Sequence, residues 1–193
     1  MGRVIYLTGA PATGKSSICH AILQRNAGIR VFSYSTMLRE TLAARVATPY
    51  GAEQIRKESA AAVTRADVVA TDERLVDEVE AARRSHHVVI DSHPVTKEAY
   101  GFRVTAFTIE QLQMLIPDAI VCAYTRPEEL ERRINLNAEG RMLSSIYDLD
   151  MHVKLQASVA VQYGVMLGRP SYFLDTSLAL DLVVDNFLTI AKI

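Results

Sequence analysis

The first 28 residues contain the pattern that most restricts the possible fold. A short β-branched and aromatic run at residues 4–7 is followed at residues 9–16 by GAPATGKS, which matches G-x-x-x-x-G-K-[ST]. Apolar residues at Ile18, Ala21 and Ile22 then have helical spacing, and Asn26 and Gly28 are typical of a helix end. The order of strand, glycine-bounded turn and helix predicts a phosphate-binding turn at one end of a parallel sheet.

Each part of this turn has a predicted role. The glycines let backbone N–H groups point at phosphate oxygens, and the N-terminus of the following helix adds unsatisfied donors. Lys15 would reach the β- and γ-phosphates of ATP, and the Ser16 hydroxyl would bind Mg²⁺. ATP and Mg²⁺ are therefore the predicted cofactors. The predicted nucleotide-binding residues are Gly9, Ala10, Pro11, Ala12, Thr13, Gly14, Lys15, Ser16 and Ser17.

Strand-like and helix-like segments alternate along the rest of the chain. Short apolar runs predict strands at residues 4–7, 29–34, 88–91, 119–124 and 171–174. Helices are predicted at residues 16–24, 147–167 and 178–190, and another begins at residue 35. One or two helices are predicted within 52–84, the second starting near Thr71. A short helix is predicted at 108–111, and a further helix runs from the capping box at 125–128 through residue 134. This alternation predicts a three-layer α/β fold of the P-loop NTPase type, with a five-stranded parallel sheet and one domain over residues 1–193.

Three local patterns refine these boundaries. Capping boxes are predicted at residues 108–111 and 125–128. The long helix predicted at 147–167 has apolar residues at Val153, Ala157, Val161 and Val165. Residues 92–107 have no clear periodicity and are predicted to form a long functional loop.

Composition excludes several classes of protein. The 193 residues carry a formal charge of −1, so no broad basic surface for nucleic acid is expected. No apolar run reaches the roughly 18 to 20 residues that cross a bilayer, and no membrane association is expected. Cys19 and Cys122 lie in apolar segments without metal-ligand spacing, which favours two reduced, buried thiols in a cytoplasmic protein. The sequence does not indicate an oligomeric state.

Asp91 is the candidate acidic partner of the phosphate-binding turn. It directly follows the third buried run, and parallel strands end at the same edge of a sheet. Ser16 and Asp91 are therefore the predicted metal residues, with Asp91 acting through water bound to Mg²⁺. A helix cap or a loop salt bridge is the alternative role for Asp91.

Beyond the turn, the chain resembles nucleoside monophosphate kinases, especially archaeal-type adenylate kinases. Residues 35–39 (STMLR) are similar to the segment in which an arginine grips the acceptor phosphate, which implies that Arg39, with Ser35, binds the acceptor. Residues 89–93 (VIDSH) resemble the strand-ending Asp-x-His of those enzymes, which implies that Asp91 and His93 face the acceptor. Arg103 is a candidate second clamp. His93 and Arg103 could instead be an ordinary loop histidine and a solvated arginine.

Several arginines surround a polar stretch that looks like a short lid at about residues 135–146. Guanidinium groups on a closing lid neutralise the charge of a moving phosphoryl group. Arg141 is the first lid candidate, whereas Arg132 and its neighbour Arg133 could equally be solvated. The candidate catalytic residues are Lys15, Arg39, Arg126, Arg132 and Arg141.

The resemblance implies transfer of the γ-phosphoryl group of ATP to a nucleoside monophosphate. Two alternatives remain at this stage. One is a P-loop kinase of another small acceptor, such as a sugar or another phosphate acceptor. The other is a nucleotide-dependent ATPase or switch that acts on a protein partner. Ala12 occupies a position at which these kinases usually have a glycine. We expect the alanine to reduce the backbone flexibility of the turn without removing its N–H donors.

Overall fold

The computed structural model describes residues 1–45, 63–136 and 145–193. These described residues form seven strands, β1 (Val4–Gly9), β2 (Ile29–Ser33), β3 (His87–Asp91), β4 (Val95–Glu98), β5 (Gly101–Val104), β6 (Ala119–Tyr124) and β7 (Ser171–Asp175). Five of them form a parallel sheet in the order β2-β3-β1-β6-β7, and β4 and β5 form an antiparallel hairpin. The predicted α/β fold with a five-stranded parallel sheet is confirmed.

Seven helices are described, and they connect the strands or cover the sheet. Their bounds are α1 (Lys15–Arg25), α2 (Tyr34–Arg45), α3 (Arg65–Ala82), α4 (Ile109–Leu115), α5 (Pro127–Leu136), α6 (Ile146–Leu167) and α7 (Leu180–Ala191). None of these described helices is both long and apolar enough to cross a bilayer.

The core has two halves because successive strand residues point to opposite faces of the sheet. Tyr6 and Ile90 belong to the half that packs against α4 and α6. Leu7 and Val89 belong to the half that packs against α1 and α7. Every residue of β1 is buried, as expected for the central strand of a parallel sheet covered on both faces. Cys19 and Cys122 are both buried and unpaired.

The predicted loop at residues 92–107 is wrong in part, because it contains the hairpin of β4 and β5. Val95 pairs with Val104 and Lys97 pairs with Phe102. The two strands have only four residues each, which is too short for alternation to stand out in the sequence. The hairpin therefore places Lys97 and Arg103 on an ordered element.

The predicted long helix is present as α6, and its apolar row is buried only in part. Val153 and Ala157 pack against buried clusters, whereas Val161 and Val165 are 44% and 77% exposed. The buried face of α6 also includes His152, Gln156 and Tyr163, whose polar groups have partners on other elements. These partners allow the polar groups to be buried, since a buried polar group with a partner loses little free energy.

Two helix starts differ from the predictions. The capping box predicted at residues 108–111 is present on Thr108. The one predicted at residues 125–128 does not form on Thr125, whose hydroxyl is buried without a hydrogen-bond partner, because α5 begins only at Pro127. Helix α3 begins at Arg65 with a capping box on Thr64, rather than near Thr71. The part of the predicted helical segment at residues 52–62 lies outside the described residues.

Candidate active site

The turn between β1 and α1 has the backbone geometry of a phosphate cradle. Gly9 and Gly14 have φ values of +146° and +89°. A Cβ atom on Gly9 would approach the Ala123 carbonyl oxygen to 2.4 Å, so only glycine fits there. Ala12 also lies in the left-handed region, with φ of +64°. Ala12 thus adopts a conformation that costs an alanine about 1–2 kcal/mol.

Lys15 lies across this cradle. Its Nζ donates hydrogen bonds to the carbonyl oxygens of Gly9 at 2.7 Å and Ala10 at 3.4 Å, and the residue is only 9% exposed. Gly14 is the N-cap of α1 and contributes no side-chain cap, which leaves the first N–H groups of the helix available to an anion. Ser16 and Ser17 are exposed on this first turn. The cradle therefore combines backbone donors, a helix N-terminus and one ammonium group.

Asp91 ends β3 beside the cradle, where its backbone is in register with Leu7 of β1. Its Oδ1 atom is buried and has no hydrogen-bond partner. Burial raises the pKa of this carboxyl group, and the charge of Lys15 partly opposes the shift. An unsatisfied carboxylate oxygen at this position fits the coordination shell of Mg²⁺ bound with a nucleotide.

The Ser16 hydroxyl is the other residue that could contribute to such a Mg²⁺ site. Within the described ranges, no three His, Cys, Asp or Glu side chains form a cluster that could hold a metal ion. A metal at the cradle would therefore take its remaining ligands from phosphate and water, as Mg²⁺ usually does.

One continuous cavity of about 1030 Å³ connects the cradle with α2, α3 and the hairpin. It brings together most of the residues singled out in the sequence. The predicted residues that line it are Ala10, Pro11, Ala12, Thr13, Gly14, Lys15, Ser16, Ser17, Ser35, Arg39, Asp91, His93 and Arg103. Gly9 is in the sheet directly below, where its carbonyl oxygen accepts the hydrogen bond from Lys15.

Arg39 is the main cationic group on the α2 side of the cavity. Its Nη2 donates to the Thr36 hydroxyl at 3.0 Å and its Nε donates to the Ser35 carbonyl oxygen at 3.3 Å. The part of the chain that the structure describes shows no carboxylate paired with it. A half-buried guanidinium held by neutral groups can bind an anionic ligand without first breaking an ion pair.

The hairpin contributes two more cations, both of which have acidic partners. Arg103 Nη2 is 3.0 Å from Glu98 Oε1. Lys97 Nζ is 3.1 Å from Asp148 Oδ1 on α6 and 4.7 Å from the centre of the Phe102 ring. Sequence analysis missed Lys97 because its place in the cavity depends on the unrecognised strand β4.

The arginines near the predicted lid separate into two groups. Arg126 and Arg132 do not line the cavity, and the Arg132 side chain, which pairs with the Glu129 carboxylate, is 60% exposed. Arg133 does line the cavity, and it donates to the carbonyl oxygens of Ala12 at 3.3 Å and Thr176 at 2.7 Å. Arg141 lies outside the described residues, as do residues 137–144 of the predicted lid. Among the described arginines of this group, Arg133 is therefore the one that contacts the cradle.

Glu129 connects the two adjacent arginines. It accepts hydrogen bonds from Arg132 and Arg133, which lower its pKa to about 2. Successive residues on a helix differ in direction by about 100°, so only one of two neighbouring arginines can turn toward a given cavity. The sequence contained both candidates but could not indicate which one faces the cradle.

Sequence analysis also missed a polar and aromatic wall beyond Arg39. Asp72 of α3 accepts hydrogen bonds from the Tyr34 hydroxyl at 2.7 Å and from Gln111 Nε2 at 2.6 Å. The Phe107 ring packs edge-to-face against Tyr34 and Tyr6, with centroid distances of 5.5 and 6.1 Å. These residues come from five separate segments, so no local pattern could indicate their proximity.

Comparison with known proteins agrees with this fold. A family profile described as an AAA domain matches residues 8–150, which is most of the chain. A sugar kinase from Janibacter sp. HTCC2649, solved without ligand, is similar in structure over 100% of this chain and 96% of its own, with a TM-score of 0.58 and 13% identity. In all, 494 solved chains match, so this similarity indicates a widespread fold and not a substrate. No curated protein matches the sequence.

Proposed function

Because this chain belongs to the AAA domain family, we propose that it is an ATP- and Mg²⁺-dependent phosphotransferase whose acceptor is a nucleoside monophosphate. One observation carries the proposal. A single cavity is lined both by Lys15 of the cradle and by Arg39 of α2, and we take the part near Arg39 as the acceptor compartment. Two substrates that exchange a phosphoryl group must share one cavity, since the reacting atoms have to approach to about 3–3.5 Å.

The cradle supplies the groups for the ATP phosphates. Lys15 and the N-terminus of α1 would stabilise the charge on the β- and γ-phosphates, and Arg133 lies at the Ala12 edge of the same turn. Ser16 and the water shell facing Asp91 would hold Mg²⁺, which neutralises charge that develops between the two phosphates.

Arg39 would hold the acceptor phosphate. An acceptor phosphate oxygen attacks the γ-phosphorus, the bond to the β–γ bridging oxygen breaks, and ADP leaves with that electron pair. No covalent enzyme intermediate is required, so catalysis depends on position and electrostatic stabilisation. The neutral partners of Arg39 support this role because its charge is available to a second phosphate.

A small hydroxyl acceptor is the second candidate. The Janibacter protein is titled a sugar kinase, and its chain aligns along the full length of this one. The cavity also contains carboxylate groups, Asp72 and Asp91, that could accept hydrogen bonds from sugar hydroxyls. Both candidates use the same cradle and differ only in what binds near Arg39.

The decisive experiment offers ATP and Mg²⁺ with a panel of nucleoside monophosphates and sugars, and follows the products by ³¹P NMR. We expect a nucleoside diphosphate from at least one monophosphate. Lys15→Ala should lower the rate by about 100-fold or more because it removes a charge from the transferring group. Arg132→Ala is the matched control, since Arg132 is exposed and lies outside the cavity.

Two outcomes would change the proposal. A phosphorylated sugar without any nucleoside diphosphate would support the second candidate. Release of inorganic phosphate without a phosphorylated acceptor would indicate an ATPase or switch, and would falsify the phosphotransferase proposal.

A further inference from the structure

Asp72 lies in the acceptor part of the cavity and is not explained by phosphate binding. Asp72 is 5% exposed, lines the cavity and lies in the middle of α3. Each of its two oxygens accepts one hydrogen bond, from Tyr34 and from Gln111. Both partners are uncharged, and the described residues provide no cation in contact with Asp72.

A buried carboxylate without a cation is costly unless further donors reach it. A carboxylate has room for about four hydrogen bonds, and two of these sites are used here. Burial raises the pKa of Asp72, while the hydrogen bonds from Tyr34 and Gln111 oppose the shift. The remaining acceptor sites therefore suit a ligand that brings N–H groups into the cavity.

The surroundings of Asp72 restrict the shape of such a ligand. Tyr34 donates to Asp72, and its ring packs edge-to-face on Phe107, which packs in the same way on Tyr6. All of these residues line the cavity. Aromatic walls of this kind favour a flat ring, since ring faces and edges make offset or T-shaped contacts.

We propose that Asp72 is a specificity-determining residue that accepts a hydrogen bond from the amino group of a heteroaromatic ring on the acceptor. The inference rests on the proposed function, because it concerns the acceptor side of the same cavity. A ring with a carbonyl oxygen in place of the amino group would set two acceptors against each other. Sites that pair with a substrate N–H discriminate strongly against such analogues.

The test uses ligand pairs that differ at this one group. Cytidine and uridine monophosphates form one pair, and adenosine and inosine monophosphates form the other. Binding of each to the full chain without ATP is measured by calorimetry. The wild type should prefer the amino member of at least one pair by about 10-fold or more, as expected for a hydrogen bond to a charged group.

Three variants separate recognition from architecture. Asp72→Asn should reduce this preference by about 10-fold or more, because a neutral amide replaces the charged carboxylate that accepts the hydrogen bond from the ligand's amino group. Tyr34→Phe removes one hydrogen bond to Asp72 but keeps the carboxylate, so the preference should persist. Asp77→Asn makes the same substitution at an exposed position of α3 and should change nothing.

Several results would overturn the inference. One is equal binding of both members of each pair by the wild type. Another is an Asp72→Asn variant that weakens both members equally, which indicates a purely structural role. If no monophosphate binds but a sugar is phosphorylated, the ring inference fails and phosphotransfer survives. If the amino preference depends on Asp72 but no transfer occurs, the inference stands and the proposed function fails.

Discussion

Arg39 and Arg132 have different surroundings, although the sequence made both of them candidate catalytic residues. Arg39 is half-buried, lines the cavity and is held by the Ser35 carbonyl and the Thr36 hydroxyl. Arg132 is 60% exposed and binds both oxygens of Glu129. An exposed ion pair contributes little, whereas a guanidinium in a cavity can bind a phosphate strongly.

Arg39→Ala should therefore raise the KM for the phosphorylated acceptor by about 10- to 100-fold, because it removes a charge-assisted contact with the acceptor. The KM for ATP should be nearly unchanged, since this contact does not involve ATP. Steady-state kinetics with both substrates varied measures this split. Arg132→Ala should leave both constants within about two-fold. An unchanged acceptor KM in Arg39→Ala would remove Arg39 from the acceptor site.

Asp91 permits a prediction about stability. Its pKa is raised in the folded chain, so the folded state binds more protons than the unfolded state once the pH exceeds the ordinary carboxyl pKa. Stability then falls as pH rises through this window. Asp91→Asn should consequently increase the free energy of unfolding at pH 7 in the absence of nucleotide, and the increase should shrink toward pH 4. Urea unfolding at both pH values measures it.

The same Asp91→Asn variant should need more Mg²⁺ for activity, because it loses the carboxylate that faces the metal's water shell. Asp77→Asn, which alters an exposed carboxylate, is the control for both measurements. A variant that is less stable at pH 7 and has an unaltered Mg²⁺ titration would assign Asp91 a structural role.

At the scale of elements, the hairpin of β4 and β5 is fastened to α6. His152 Nε2 is 3.0 Å from the Val95 carbonyl oxygen, and Lys97 pairs with Asp148. The His152 ring also packs edge-to-face on Phe102 at 5.2 Å. These contacts hold the strand that carries Lys97 beside the cavity, so the position of this cavity wall depends on α6.

Burial lowers the pKa of His152 to about 4 from its ordinary value of 6.5. Between these two pKa values the unfolded chain binds more protons than the folded chain. The contribution of neutral His152 to the free energy of unfolding is therefore complete above about pH 6.5 and is lost as the pH falls through about 4. His152→Gln, whose amide can still donate to Val95, should show a shallower fall in stability over this range. Chemical denaturation at several pH values, with His20→Gln as an exposed control, measures the difference. Parallel curves for His152→Gln and wild type would contradict this account.

At the scale of the whole molecule, the central sheet joins both halves of the core. β1 contributes Tyr6 to one half and Leu7 to the other, and the cavity opens at the carboxyl ends of the same strands. A ligand in the cradle therefore contacts elements from both sides of the sheet. Binding at this edge should stabilise the fold as a unit.

ATP with Mg²⁺ at about 100 times its Kd should add about 2.7 kcal/mol to the free energy of unfolding. This corresponds to a rise in Tm of about 5–10 °C for a chain of this size. Thermal unfolding followed by circular dichroism measures the shift. Lys15→Ala should lose most of it, while Arg132→Ala should retain it. An equal rise in Tm for wild type and Lys15→Ala would place the nucleotide elsewhere.

Much of the architecture was predictable because it follows from local patterns. The apolar runs predicted all five strands of the parallel sheet, and the glycine-bounded pattern predicted the turn between β1 and α1. The four-residue strands β4 and β5 were missed because such short strands show no clear alternation. The burial of His152 and Gln156 on α6 was not predicted because polar residues of these types usually lie on the surface.

The sequence by itself determined the cradle, since backbone conformation there depends on glycines and on a helix start within eight consecutive residues. Only the tertiary structure decided which distant side chains meet beside it. Arg133 rather than Arg132 contacts Ala12, and Asp72 meets Tyr34 and Gln111, because helix rotation and packing place those groups. Local sequence restricts torsion angles over a few residues, whereas the composition of a cavity depends on contacts among segments far apart in the chain.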